Sequence, residues 1–206
     1  MITLVDIYKS FQEQEVLSNL SLQISENEFV AVQGASGKGK TTLLNVMSLL
    51  TKPDRGTVMI GNIVSPNPKE VCMLRRFTIG YIFQNYALMQ AETVLENLEM
   101  SKAYSLHWSL DFVKESLDLV DLKETILSKK IYELSGGEQQ RVAIARIILK
   151  PSKIIFADEP TGNLDAASAQ KVLQIFRHLG KNGKTIVCAT HDSNIAGAAD
   201  RVIELR

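Results

Sequence analysis

Gly34-Ala35-Ser36-Gly37-Lys38-Gly39-Lys40-Thr41 fits G-x-x-x-x-G-K-[ST], a pattern whose chemistry is the holding of phosphate. Glycines let backbone N–H groups turn inward into an anion nest, and a helix starting there adds the partial positive charge of its amino terminus. Lys40 would then reach the β and γ phosphates of a bound nucleotide, and the Thr41 hydroxyl would ligate Mg²⁺. A second group, Ile154-Ile155-Phe156-Ala157-Asp158-Glu159, ends an apolar run in two adjacent carboxylates. Neighbouring strand residues face opposite ways, so the two have separate tasks. Asp158 suits a Mg²⁺ shell and Glu159 suits a general base acting on water. The third group, Leu134-Ser135-Gly136-Gly137-Glu138-Gln139-Gln140-Arg141, has the S-x-x-E spacing of a capping box. Capping there presents a Ser hydroxyl and two glycine N–H groups at a helix amino terminus, a second anion-binding site in the same chain.

Such groups need a frame, and the hydrophobic pattern supplies one. Between Ile2 and Ile63 the runs alternate, clearest at Leu20-Ser21-Leu22-Gln23-Ile24, which suits half-buried antiparallel strands. Phe29 to Val32 is instead continuous and leads through glycines to a helix expected over Lys40 to Leu50, as a buried parallel strand and its crossover helix would. From Thr93 to Tyr132 the period becomes helical, with Leu110, Val113, Leu117 and Val120 spaced to line one face of a helical lobe. Helices are then expected over Gly136 to Leu149 and Ala166 to Leu179, alternating with strands Lys153 to Ala157 and Lys184 to Ala189. The order predicts an α/β layered sheet. Four continuous strands end in polar groups: Gln33-Gly34, Gln84, Asp158-Glu159 and His191. In a parallel sheet these ends share one edge, where open α/β sheets bind ligands, so a single site is the economical reading.

Composition sets the bounds. The 206 residues are 45% hydrophobic and 22% charged, with 23 basic against 23 acidic side chains, an ordinary globular balance for one domain. Zero formal net charge argues against a broad basic face for nucleic acid. Apolar stretches such as Thr41 to Leu50 are short and broken by polar residues, so none spans a bilayer. The amino terminus meets Asp6 without a basic segment, unlike a secretory signal, and a cytosolic location is expected. Cys72 and Cys188 have no paired spacing and are expected to be buried or idle thiols.

Leu134 to Arg141 resembles the signature of the ATP-binding cassette family. The order phosphate loop, Gln84, signature, Asp158-Glu159, Asp165, His191 is similar to that family over the whole chain. The resemblance implies a P-loop NTPase core with a mixed, mainly parallel sheet, an antiparallel β subdomain and an inserted helical subdomain. Residues 1–92 and 133–206 would form the ATP-binding core, and 93–132 the helical subdomain. It implies a head-to-tail dimer sandwiching two ATP molecules, each signature closing on the γ-phosphate held by the other subunit. ATP would be held by Gly34, Ala35, Ser36, Gly37, Lys38, Gly39, Lys40, Thr41 and Thr42, and by Ser135, Gly136, Gly137 and Asp165. Mg²⁺ would be held by Thr41, Gln84 and Asp158, with Glu159, His191 and Gln84 serving hydrolysis.

By position, Gln84 would sense Mg²⁺ and contact a transport partner, the alternative being a polar turn residue. His191 would be the switch histidine near the γ-phosphate, the alternative being a structural histidine. Asp165 serves equally as the N-cap of the helix from Ala166 or as a dimer contact. Phe11 would stack on adenine, with Tyr8 as competitor and a packed core role as the other reading. Lys38 departs from the family, which usually carries a small residue there; this second cation would tighten nucleotide binding or swing outward.

Pro160-Thr161-Gly162-Asn163-Leu164-Asp165, with the short chain, looks most like the lipoprotein-release, macrolide-export, bacteriocin-export and cell-division group. The implied protein is the ATPase subunit of a bacterial transporter, cytoplasmic and peripheral on the inner membrane face through a separate permease, exporting a peptide, lipid or antimicrobial. One rival is a non-transporting mechanical regulator of cell-wall enzymes. The other, a soluble cassette acting on ribosomes or DNA, is disfavoured by the neutral charge.

Overall fold

The computed structural model describes residues 1–12 and 14–205. β1 (Ile2–Phe11) and β2 (Gln14–Ile24) pair antiparallel, Ile2 opposite Ile24 and Phe11 opposite Gln14. β3 (Phe29–Gln33) enters a second sheet and leads through the glycine loop into α1 (Lys40–Met47). β4 (Arg55–Ile60) and β5 (Ile63–Val64) return to the first sheet, whose order is β2-β1-β4-β5. α2 (Pro68–Phe77) begins with proline after Asn67, which caps it in a capping box with Glu70, and delivers the chain to β6 (Ile79–Ile82). α3 (Val94–Glu99) and α4 (Leu110–Leu119) make the helical segment, capped by Thr93 and Ser109. α5 (Gly136–Ile148), β7 (Ile154–Asp158), α6 (Ala166–Lys181), β8 (Thr185–Ala189), α7 (Ser193–Ala198) and β9 (Arg201–Glu204) complete the order.

The second sheet has the order β6-β7-β8-β3-β9, and every one of its ladders is parallel. The expected α/β core with a separate antiparallel β subdomain is present, the antiparallel strands keeping to their own four-stranded sheet beside the parallel one. The reason lies in the connections, since helices or the glycine loop with α1 return the chain across the faces between core strands. Both faces are therefore covered, and successive residues of one strand enter different cores. Ile155 and Ala157 of β7 pack with α3 to α6, while Ile154 and Phe156 pack with α1 and the antiparallel sheet. That two-sided burial is why these strands read as continuous apolar runs.

Two local expectations need correction. α1 stops at Met47 rather than Leu50, because Leu49 adopts φ 63° and turns the chain out of the helix. Leu110 is 58% exposed, whereas Val113, Leu117 and Val120 are buried. As the first residue of α4 it precedes the packed face, which starts one turn later at Val113. Cys188 is buried in the core and Cys72 is exposed on α2. Among the described residues no helix is long and apolar enough to cross a membrane.

Candidate nucleotide site

The parallel order puts the carboxyl ends of β3, β6, β7 and β8 along one edge, and a cleft of about 780 Å³ opens there. Gly34, Ala35, Ser36, Gly37, Gly39, Lys40, Thr41 and Thr42 line it together with Gln84, Glu159 and His191. Gly37 and Gly39 have φ 78° and 85°, the left-handed backbone that lets the loop fold inward. Gly39 is also the N-cap of α1 and, lacking a side chain, leaves the first helical N–H groups without a side-chain acceptor. A Cβ on it would meet Val16 Cγ1 at 2.7 Å. An open helix amino terminus inside a glycine loop is an anion-binding arrangement.

Lys40 lies over this loop, its Nζ donating to Gly34 O at 2.8 Å. The same Nζ is 3.8 Å from Glu159 Oε1, and His191 Nδ1 is 2.8 Å from Glu159 Oε2. Glu159 thus bridges two strand ends, and its φ of 46° turns it away from the line of β7 toward the cleft. Asp158, the last residue of β7, is buried beneath the loop and accepts a hydrogen bond from Thr41 Oγ1 at 3.1 Å. Burial pushes its carboxyl pKa up; the Thr41 bond opposes this, the Glu159 charge adds to it and Lys40 opposes it. The adjacent carboxylates therefore occupy different environments, one buried on a hydroxyl and one largely covered at the cleft between two nitrogen groups.

The second glycine-rich turn lies outside the cleft lining. Ser135 caps α5: its Oγ accepts from Glu138 N at 3.3 Å while Glu138 Oε2 accepts from Ser135 N at 2.8 Å. The Ser135 N–H bond, joined by one that Ser135 Oγ donates to Glu138 Oε2 at 2.8 Å, holds the Glu138 carboxyl below its usual pKa. Asp165 caps α6 through Ser168 N at 2.9 Å and accepts from Ser168 Oγ at 2.7 Å. A Cβ on Gly137 would meet Ser168 Oγ at 2.5 Å, and one on Gly136 would lie 3.9 Å from Leu164 Cδ2. Ser135 to Gly137 and the start of α6 thus form a compact surface of their own.

A model described as ABC transporter matches residues 17–162 of the chain. The chain belongs to the ABC transporter family. An ABC transporter ATP-binding protein of Methanocaldococcus jannaschii is 38% identical over 219 residues, covering all of this chain and 93% of that protein. The macrolide export ATP-binding/permease protein MacB of Campylobacter jejuni is 42% identical over 211 residues, again across the whole chain. This chain spans only about a third of that relative's length, 33%. A solved dimeric structure of a bacterial ABC transporter cassette superposes with a TM-score of 0.91 at 39% identity, covering 100% of this chain and 94% of that one. A post-hydrolysis dimeric cassette bound to ADP and Pi superposes equally well, TM-score 0.91 at 38% identity with the same coverage.

Besides Ser135, Gly136, Gly137 and Asp165, three more expected residues stand apart from the cleft lining of this ABC cassette. Lys38 is exposed outside it, because left-handed Gly37 and Gly39 flank it and turn the chain there. Asp158 is beneath it, as described. Phe11 is 51% exposed at the end of β1, opposite Gln14, with Lys9 Nζ 5.4 Å from its ring centroid. Its competitor Tyr8 is half-buried. Sequence reasoning missed Gln14, Val16 and Gly162, all of which line the cleft. Gly162 had a signal in the turn Pro160-Thr161-Gly162; Gln14 and Val16 arrive only because the first sheet folds across the loop.

Proposed function

We infer that the chain binds and hydrolyses ATP as the motor subunit of a membrane exporter, working as a head-to-tail dimer. The observation that carries this reading is the single cleft in which the glycine loop, Lys40, Gln84, Glu159 and His191 converge. Gly34 to Thr42 wrap the phosphates, with Lys40 neutralising the terminal ones; Phe11, exposed beside the cleft, stacks on the base. Glu159 accepts a proton from the attacking water, and His191, hydrogen-bonded to the same carboxylate, orients it.

Thr41 Oγ1 and the Asp158 carboxylate, 3.1 Å apart, are hard oxygen donors, and with the Gln84 amide they fit Mg²⁺. Asp158 has no cation of its own within ion-pairing distance among the described residues, which suits a site that receives one. Bound there, Mg²⁺ supplies positive charge to the phosphate oxygens. Gln84, which lines the same cleft, would contact the ion there and report its occupancy along its loop.

Ser135, Gly136 and Gly137 lie outside the cleft of their own copy, and in a head-to-tail pair they complete the cleft of the other, with Asp165 at the same interface. Residues 1–92 and 133–206 serve as the ATP-binding core and 93–132 as a helical subdomain that passes the motion to a permease. The subunit is held on the cytoplasmic membrane face by that permease, and MacB-like relatives suggest export as its direction.

The test is Lys40→Ala with a fluorescent ATP analogue. Loss of one charge-assisted phosphate contact, about 1.5–3 kcal/mol, predicts binding weakened about 10- to 100-fold. Unchanged affinity refutes the site.

A further inference from the structure

Gln84 stands at the cleft on a loop that local bonds alone hold poorly. Tyr86 and Ala87 follow with φ 64° and 49°, two successive non-glycine residues in left-handed backbone. Their N–H groups are satisfied close by, Tyr86 N on Phe83 O at 2.9 Å and Ala87 N on Asn85 O at 2.8 Å. Their carbonyls depend on one distant side chain. Arg146 Nη1 donates to Ala87 O at 2.7 Å, and Arg146 Nη2 donates to Tyr86 O at 3.1 Å. Further along, Asn97 Nδ2 donates to Met89 O and its Oδ1 accepts from Met89 N, fixing where the loop ends.

Arg146 belongs to α5 and is partly buried; burial pulls its pKa down. Among the described residues no carboxylate lies within 4.0 Å of it, and Lys150 adds charge of the same sign nearby. A partly buried cation answered only by neutral carbonyls costs stability that an apolar side chain of similar length would avoid. α5 meets the same loop at its other end too, where a Cβ on Gly136 would lie 3.5 Å from the Tyr86 hydroxyl. One rigid helix therefore carries the Ser135–Gly137 turn at its start and grips the Gln84 loop near its end.

We propose that Arg146 is a positioning residue for hydrolysis, clamping the Tyr86–Ala87 turn to α5 so that Gln84 is presented to the cleft in register with the signature turn. The inference rests on the role given to Gln84 above. Arg146 does not line the cleft, so its loss should leave nucleotide affinity intact and slow turnover.

Full-length Arg146→Met, Gln84→Ala and the double variant test this by steady-state phosphate release and by hydrogen exchange at residues 84–89. Arg146→Met is expected to lower kcat about tenfold or more while KM stays within about threefold. Because both substitutions act through one loop, the double variant should be no more than about twofold slower than Gln84→Ala alone. Amides of Tyr86 to Met89 should exchange about tenfold faster in Arg146→Met, with those of α6 and β8 unchanged. Wild-type kcat in Arg146→Met, losses that multiply in the double variant, or unchanged exchange overturns the proposal. Wild-type kcat in Gln84→Ala refutes the role of Gln84 instead, and exchange then decides alone whether Arg146 holds the loop. Should Arg146→Met not fold, Arg146→Lys keeps the charge and reaches only one carbonyl; about threefold loss of kcat is expected, and none overturns.

Discussion

Replacing Glu159 with glutamine separates binding from chemistry, and the structure sets the size of each effect. Glutamine keeps the length and planarity of the side chain at φ 46° and keeps an acceptor for His191, but it cannot take a proton from water. What it loses in the folded state is the charge facing Lys40 at 3.8 Å, a pair whose side chains are only 11% and 14% exposed, and a contact at 2.8 Å with a His191 side chain that is 70% exposed. The Lys40 pair is long and Lys40 keeps its bond to Gly34 O, so the loss is about 1–2 kcal/mol and Tm should move by about 2–8 °C. Removing a general base costs about 10²- to 10⁴-fold in rate, equivalent to about 2.7–5.4 kcal/mol in the barrier. The rate effect should therefore exceed the stability effect. Phosphate release at saturating ATP and Mg²⁺, titration with a fluorescent ATP analogue and a thermal melt measure the three quantities on one preparation. Hydrolysis at the wild-type rate refutes the assignment of Glu159. Loss of nucleotide binding alongside turnover refutes the placement of this residue after the binding step.

Gly39→Ala should strain a φ of 85° and drive its Cβ into Val16 Cγ1 at 2.7 Å, destabilising the chain by about 1–3 kcal/mol in a denaturant melt and weakening nucleotide binding. Asp158→Asn should abolish Mg²⁺-dependent turnover yet raise the Tm of the nucleotide-free chain at pH 7. Its folded pKa is raised by burial, so ionisation above the unfolded value costs stability that asparagine does not lose, each kcal/mol recovered being worth about 2–4 °C. A lower Tm for Asp158→Asn contradicts that sign. Glu138→Ala should lower Tm by about 2 °C at neutral pH through loss of the α5 capping box. Because the folded pKa of Glu138 is depressed, its contribution is present above the unfolded value and lost as pH falls through the folded one, so melts of the two proteins should converge in acid. Parallel melts at every pH exclude the carboxylate as the cause.

Much of the core could be read from the chain because burial on both faces leaves a direct mark. Phe29 to Val32, Ile154 to Ala157 and Thr185 to Ala189 are apolar without alternation, and each ends in a polar group that the parallel order then gathers. Features decided by tertiary contact left no such mark. Leu49 ends α1 through its backbone angle, although its side chain continues the helical pattern. Leu110 keeps the right spacing yet starts its helix too early to be covered. Val16 and Gln14 enter the cleft only through the fold of β2 over the loop, and the spacing of Lys38 does not reveal that its flanking glycines turn it outward. Least legible is the bond from Arg146 to the carbonyls of Tyr86 and Ala87, since backbone acceptors carry no residue type at all.

On the proposed head-to-tail arrangement, the separation of the Ser135–Gly137 turn from the cleft of its own copy has a kinetic meaning. A site built from halves on two molecules obeys mass action in the protein itself. In dilute solution its turnover climbs with the square of subunit concentration, and only once pairs saturate does each added subunit bring a fixed increment. Anchoring subunits in pairs on one membrane partner replaces that search by a fixed local concentration. The partner would then govern the pace of the engine simply by keeping its two halves within reach of each other.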